Sequence, residues 1–321
     1  MTTKIYIKRY AIFLSVISLI IFSCKNQNKE NDTTINEVQR SNDKVNRVEV
    51  VTNAMDFEIP SQFDSGWTTF EYINKSEETH FFILEKMPEG ITIENYNNEL
   101  VPPFKKIFTF LIEGKNEEAM KASEEIPEWW KDVKLGGGVG LISPQSSAQS
   151  TVFLNPGTYV MECYVRMPNG MPHAFYGMLK QIVVTDKKNN LEAPIADYNI
   201  DVSSEKGIVF KDSIKSGVYE LAVNFKDQKL YETLLGHDIN LVRLDKLSNL
   251  DSLGDWINAA NIQSFRTPTP EGLTFLGGVE DLEAGSTGFF KANLAEKGNY
   301  VLISEIPDVL NRKMYKVFKV Y

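Results

Sequence analysis

Cysteine and histidine are nearly absent from this 321-residue chain, which has two of the first and three of the second. Cys24 closes an N-terminal apolar run, so Cys163 is the one thiol left for a folded part, and no disulfide can form within it. His80, His173 and His237 are the only imidazoles. Basic residues form no block or stripe, and the formal charge of −9 argues against nucleic acid as a partner. Beyond residue 23 no apolar run is long enough to cross a bilayer. Phosphate-loop, serine-elbow and zinc motifs are missing too. The glycines between Gly136 and Gly140 lack the Lys-Ser/Thr that would complete a phosphate loop, and they suit a strand turn.

What is there begins with an address. Lys4, Lys8 and Arg9 precede twelve mostly apolar residues, Ala11 to Phe22, a length that suits a secretion signal and is short for a membrane span. Ile21-Phe22-Ser23-Cys24 resembles a bacterial lipobox. Residues 1–23 are therefore expected to be a signal peptide, with Cys24 lipidated as the first mature residue. The polar stretch 24–46 cannot bury enough apolar surface to fold and reads as a tether. The expected location is an exported chain, lipid-anchored to a bacterial membrane through Cys24.

The remaining residues, about 275, suffice for two domains. Short aromatic and β-branched runs predict strands at 47–59, 67–74, 79–85, 148–154, 158–165 and 177–185. Phe104, Ile107, Phe108 and Leu111 recur at helical spacing, which predicts a helical insertion at about 101–133, packed onto the sheet by Trp129 and Trp130. Residues 187–204 read as a linker between a first domain at 47–186 and a second at 205–321. The second half echoes the first. Leu135-Gly136-Gly137-Gly138-Val139 answers to Leu276-Gly277-Gly278-Val279, and Gly157-Thr158-Tyr159-Val160 to Gly298-Asn299-Tyr300-Val301. His80 to Leu84 answers to His237 to Leu241 in the same order. A duplicated unit of short strands predicts a mainly β chain of two tandem sandwiches.

The residues able to carry chemistry gather in the first copy. Cys163 is followed by His173 and Met178, and His80 sits after a strand and short turn. Two imidazoles, a thiolate and a weak thioether are the donor set of a blue copper site, in which soft sulfur favours Cu(I) and imidazole accommodates both oxidation states. From Asn155-Pro156-Gly157-Thr158-Tyr159 through Cys163, His173 and Gly177-Met178 to Ile182-Val183-Val184, the sequence resembles the ligand loop of cupredoxins, the plastocyanin-like proteins. Tyr72 to Phe82 resembles the segment that delivers their first histidine. The resemblance implies two cupredoxin-like Greek-key sandwiches, and a single type 1-like copper held by His80, Cys163, His173 and Met178. The loop residues Met167 and Met171 are a weaker variant for soft Cu(I) contacts.

The second copy lacks the set, since Ser304 falls opposite Cys163, and Met314 with His237 cannot complete a site. Too few histidines remain for a type 2 or trinuclear copper centre, and a Cys163–His nucleophilic pair has no recognisable oxyanion hole, so the chain is not expected to be an enzyme. The function expected is electron transfer or copper handling in the cell envelope, with a redox or copper-donor protein as partner. The competing reading is a metal-free adhesion or binding module for a protein or glycan. Geometry separates them: the donors either converge at one end of a sandwich or lie apart.

Overall fold

The computed structural model describes residues 46–231 and 235–321. The expected signal peptide, Cys24 and nearly all of the tether lie outside the described residues. The first half contributes β1 (Arg47–Thr52), β2 (Phe57–Glu58), β3 (Gln62–Asn74), β4 (His80–Lys86), β5 (Lys134–Ile142), β6 (Ser146–Leu154), β7 (Gly157–Glu162) and β8 (Leu179–Lys188). β1 pairs with β2 and, in parallel, with β3, which pairs with β6; this makes one layer. The start of β3 runs parallel to β8, and β8–β7–β4–β5 makes the other.

The second half repeats this wiring with β9 (Tyr198–Ser203), β10 (Gly207–Val209), β11 (Ser213–Ile214), β12 (Gly217–Phe225), β13 (Ile239–Leu244), β14 (Leu273–Val279), β15 (Thr287–Leu294), β16 (Gly298–Ile303) and β17 (Tyr315–Val320). β9 runs parallel to β12, β12 pairs with β15, and β11 runs parallel to β17 in the order β17–β16–β13–β14. Registers repeat as well. Lys86 faces Tyr159 where Arg243 faces Tyr300, and Ile83 faces Gly138 where Asn240 faces Gly278. All three sequence correspondences therefore hold at once. Tyr159 and Tyr300 each donate their hydroxyl to the carbonyl four residues upstream, at 2.9 and 2.8 Å. The expected mainly β architecture of two β-sandwiches is the one found.

Two boundaries differ from expectation. Residues 198–203, inside the expected linker, form strand β9, with Ile200 and Val202 buried. Their alternation is the edge of the second sandwich and the counterpart of β1, so that sandwich begins before residue 205. The halves are also not strung on a linker. Phe289 and Phe290 of β15 pair with Thr151 and Ser150 of β6, Leu276 of β14 pairs with Ile142 of β5, and one apolar cluster runs through both.

The insertion starts earlier than residue 101. Thr92 and Asn95 form a capping box that opens α1 (Ile93–Asn95), which continues through a π-helical turn at Tyr96–Leu100 into α2 (Val101–Ile112), followed by α3 (Asn116–Ser123). Pro102 and Pro103 occupy the first turn of α2, where missing N–H groups cost least. Trp130 packs edge-on to Tyr96 and Phe104 within the insertion, and Trp129 and Trp130 join the apolar cluster that, as expected, holds the insertion to the sheet at Val160 of β7. A further helix, α4 (Asn249–Trp256), belongs to the second half.

Between the insertion and the β7–β4 face lies a largely apolar cavity of about 310 Å³, into which Glu85 and Glu162 project. The Tyr96 hydroxyl donates to Glu162 at 3.0 Å. Burial, then the charge of Glu162, raises the Glu85 carboxyl well above its ordinary 4.5. The folded chain thus keeps a proton that the unfolded chain releases above that value, so this group's contribution to stability falls as pH rises. Glu85→Gln removes that dependence. In urea unfolding between about pH 5 and 8, the variant should lose less stability than the unchanged chain as pH rises. Equal slopes for the two would place a charged Glu85 in the folded state.

Candidate metal centre

The β4–β7 register decides the site. β7 runs antiparallel to β4 with Glu162 facing Ile83, so Cys163, the first residue beyond β7, lies beside the start of β4 at His80. Asn74 shapes the turn into His80: its side-chain amide donates to the Glu78 and Ser143 carbonyls, and its oxygen accepts from the Ser76 N–H and hydroxyl. From Cys163 the chain loops out and returns. His173 N–H donates to the Val165 carbonyl at 2.7 Å, and Ala174 N–H to the Cys163 carbonyl at 2.9 Å. Met178 closes the loop, donating to the His173 carbonyl and accepting from Cys163 N–H, both at 3.3 Å.

Three of the four expected donors converge. Cys163 Sγ lies 3.7 Å from His80 Nδ1 and 3.8 Å from His173 Nδ1, and the two nitrogens are 3.1 Å apart. A metal bonded to nitrogen at about 2.0–2.1 Å and thiolate at about 2.3 Å, with donors spread about 120° apart, separates sulfur from nitrogen by about 3.8 Å. The sulfur–nitrogen spacing fits a single small soft-to-borderline ion such as copper, and the shorter nitrogen–nitrogen distance corresponds to an N–metal–N angle of about 100°. All three side chains are fully buried, as is Met178, whose backbone bonds hold it against both Cys163 and His173. Met167 and Met171 instead close the tip of the loop, Met167 N–H donating to the Met171 carbonyl at 2.8 Å.

Burial sets the protonation states. It lowers His80 to about 4, and together with the neighbouring His80 it lowers His173 to about 3, so both rings are neutral, as ligands must be. Burial pushes the Cys163 thiol up to about 12, opposed by backbone N–H groups of Phe81 and Val165 directed at the sulfur. Those two amides would also steady a thiolate once a cation replaced the proton.

Sequence reasoning missed two supports. Glu78 Oε2 approaches His173 Nε2 at 3.1 Å, off the line of a good hydrogen bond. Arg166, three residues past Cys163, donates to the carbonyls of Ala259, Asn261 and Ser264, and its backbone is tied to Phe265 and Thr267. The second half thereby clamps the ligand loop. Only an arginine inside an otherwise apolar loop strand hinted at this.

In the second half the same positions hold other chemistry. Ser304 stands at the Cys163 position and donates to Asp238 Oδ1 at 2.5 Å. His237 Nε2 lies 3.1 Å from the Tyr231 hydroxyl and 3.4 Å from Ser204 Oγ. It joins no metal-ligand cluster among the described residues.

No protein-family model and no curated protein matches this chain. Solved structures similar to it include auracyanin B (16% identity, 41% of this chain and 95% of that one, TM-score 0.28). Auracyanin A, a "blue" copper protein from Chloroflexus aurantiacus, is 18% identical over 43% of this chain and 98% of its own, with TM-score 0.26. A multicopper oxidase is 10% identical over 86% of this chain and 88% of its own, with TM-score 0.22. These likenesses are too loose to bear on the site, which stands on the pairings and distances above.

Glu78→Gln keeps the shape of the side chain and removes the charge beside His173. Metal affinity of the site, measured by competition with a chelator, should fall by about 10–100-fold. An unchanged affinity would make Glu78 a bystander.

Proposed function

We propose that this chain is a lipid-anchored copper protein of the bacterial cell envelope whose task is to carry electrons. The observation behind this reading is the convergence of His80 Nδ1, Cys163 Sγ and His173 Nδ1 within 3.8 Å, with Met178 buried alongside. A copper ion held there would supply one-electron chemistry between Cu(I) and Cu(II). The protein's own part is to hold the donors rigidly. Two neutral imidazoles need no proton exchange, two backbone amides point at the sulfur, and the loop is braced across the other half. Complete burial of the three donors favours electron carriage over copper delivery. An ion handed to another protein needs an opening, whereas an electron needs only a short path. The partner is then a redox protein approaching the covered ligand loop. The lipid anchor at Cys24, supported by the charged, apolar and lipobox-like order of residues 1–24, would keep the site near its membrane.

An absorption spectrum during Cu(II) addition tests the site. One equivalent should produce an intense visible band, and Cys163→Ser should abolish it. A chain that stays colourless and takes up neither Cu(II) nor Cu(I) overturns the metal reading and leaves a binding module. For the anchor, cells expressing the full chain should incorporate labelled fatty acid into it, and Cys24→Ala should lose the label. Label retained in that variant would refute attachment at Cys24.

A further inference from the structure

Where the halves meet, the chain buries four carboxylic acids. Asp238, Glu280 and Asp281 have no exposed surface, and Glu305 is 2% exposed. Asp238 lies just ahead of β13, Glu280 and Asp281 directly follow β14, and Glu305 comes two residues after β16. Part of their hydrogen-bonding capacity is met. Asp238 accepts from Ser304 Oγ and from Glu305 N–H at 2.9 Å through one oxygen, and from Asn240 at 2.6 Å through the other. Asp281 Oδ1 accepts from Gly236 N–H at 2.6 Å, and one Glu305 oxygen accepts from the Tyr164 hydroxyl of the first half.

The rest is unmet. Both oxygens of Glu280, the second of Asp281 and the second of Glu305 are buried without a hydrogen-bond partner. Native interiors seldom leave such groups orphaned, and an uncompensated buried carboxylate is among the costliest defects a core can hold. Glu280 is aimed at its neighbours: donor oxygens from Asp238, Glu280 and Glu305 all lie within 4.8 Å of one another. One ion can bridge oxygens this close, since donors on opposite sides of a hard divalent cation lie about 4–5 Å apart.

We propose that Asp238, Glu280 and Glu305, with Asp281 beside them, bind a hard divalent cation such as Ca²⁺ at the seam between the two sandwiches. All-oxygen, carboxylate-rich coordination suits Mg²⁺, Ca²⁺ or Mn²⁺ better than copper. Its donors come from three β-strand ends of the second half, and Tyr164 ties the first half to one of them. The ion would therefore lock together the two halves that brace the ligand loop. This site differs in its donors from the His80–Cys163–His173 centre, which offers nitrogen and sulfur, although Glu280 and Glu305 lie near enough to Cys163 to act on it electrostatically.

The test uses the purified full chain stripped with EDTA. Calorimetric titration with Ca²⁺ should give one ion per chain and raise the thermal midpoint by several degrees. Mn²⁺ should occupy the same site, seen by its paramagnetic resonance, and be displaced by Ca²⁺. Glu280→Gln, which removes the charge at nearly constant shape, should lose the ion, while Cys163→Ser should keep it. Should Glu280→Gln fail to fold, Ca²⁺-reversible Mn²⁺ binding to the Cys163→Ser chain decides the matter. A chain whose midpoint is the same in EDTA and in millimolar Ca²⁺, with Glu280→Gln more stable than the original, overturns the proposal. That result would assign protons, not a metal, to the carboxyls. Binding that survives in Glu280→Gln, or vanishes in Cys163→Ser, overturns it equally.

Discussion

The antiparallel register of β4 and β7 is the constraint on which the rest of the candidate centre depends. A slip of one residue would turn every side chain of β7 to the opposite face and carry Cys163 away from His80. Apolar packing fixes that register. Leu84 faces Met161, both are buried in the shared core, and the Tyr159 hydroxyl pins the entry to β7. Once Cys163 is set beside His80, the loop needs only to return His173 to the same point. The bonds from His173 to Val165 and from Ala174 to Cys163 do this with backbone groups alone. Side chains then brace the loop from outside, Arg166 against the second half and Arg266 against the Pro168 carbonyl at its tip.

The two halves show how one frame serves different ends. Strand pairings, registers and both tyrosine braces repeat, yet Phe81, Tyr164, Gly140 and Leu141 in the first half give way to Asp238, Glu305, Glu280 and Asp281 in the second. Phe81 of the first half meets Tyr164 edge-on at 4.5 Å, and Phe265 of the second half stacks on Tyr164. An aromatic wedge fills the space that carboxylates fill in the copy. The wedge and the carboxylates meet through the Tyr164–Glu305 bond, so the residue directly after Cys163 connects the thiol's strand to the acidic seam.

What could be read from the sequence followed from scarcity and repetition. With one thiol and three imidazoles in the folded part, the spacing of Cys163, His173 and Met178 stood out, and the paired glycine and tyrosine motifs fixed the duplication to the residue. What could not be read lay in features whose meaning depends on the second half. Tyr198 to Ser203 follows a proline-containing stretch that masks its short alternation, and pairing with β10 and β12 makes it a strand. Tyr96-Asn97-Asn98-Glu99 has the composition of a loop, and Thr92 with Asn95 turns it into the start of a helix. Glu280, Asp281 and Glu305 read as ordinary surface charge, because burial by another strand leaves no mark on a residue's own neighbours.

Burial of ionisable groups ties these features together. Around Cys163 it keeps the imidazoles neutral and the thiol protonated, a state without net charge that the core tolerates until a cation takes the proton's place. Around Glu280 it pushes the carboxyls upward from their ordinary values, chiefly by desolvation and then by mutual repulsion. Each group raises the cost of charging the next. Four acids cannot share a dry seam as anions, and the hydrogen bonds they do make satisfy Asp238 well and Glu280 not at all. A seam of this kind persists in a stable fold with protons retained on the carboxyls or with a cation among them, and a divalent ion supplies two charges at one point. In both places the strand framework holds donors close together in a buried setting, and a bound cation would take the place of protons that burial otherwise retains.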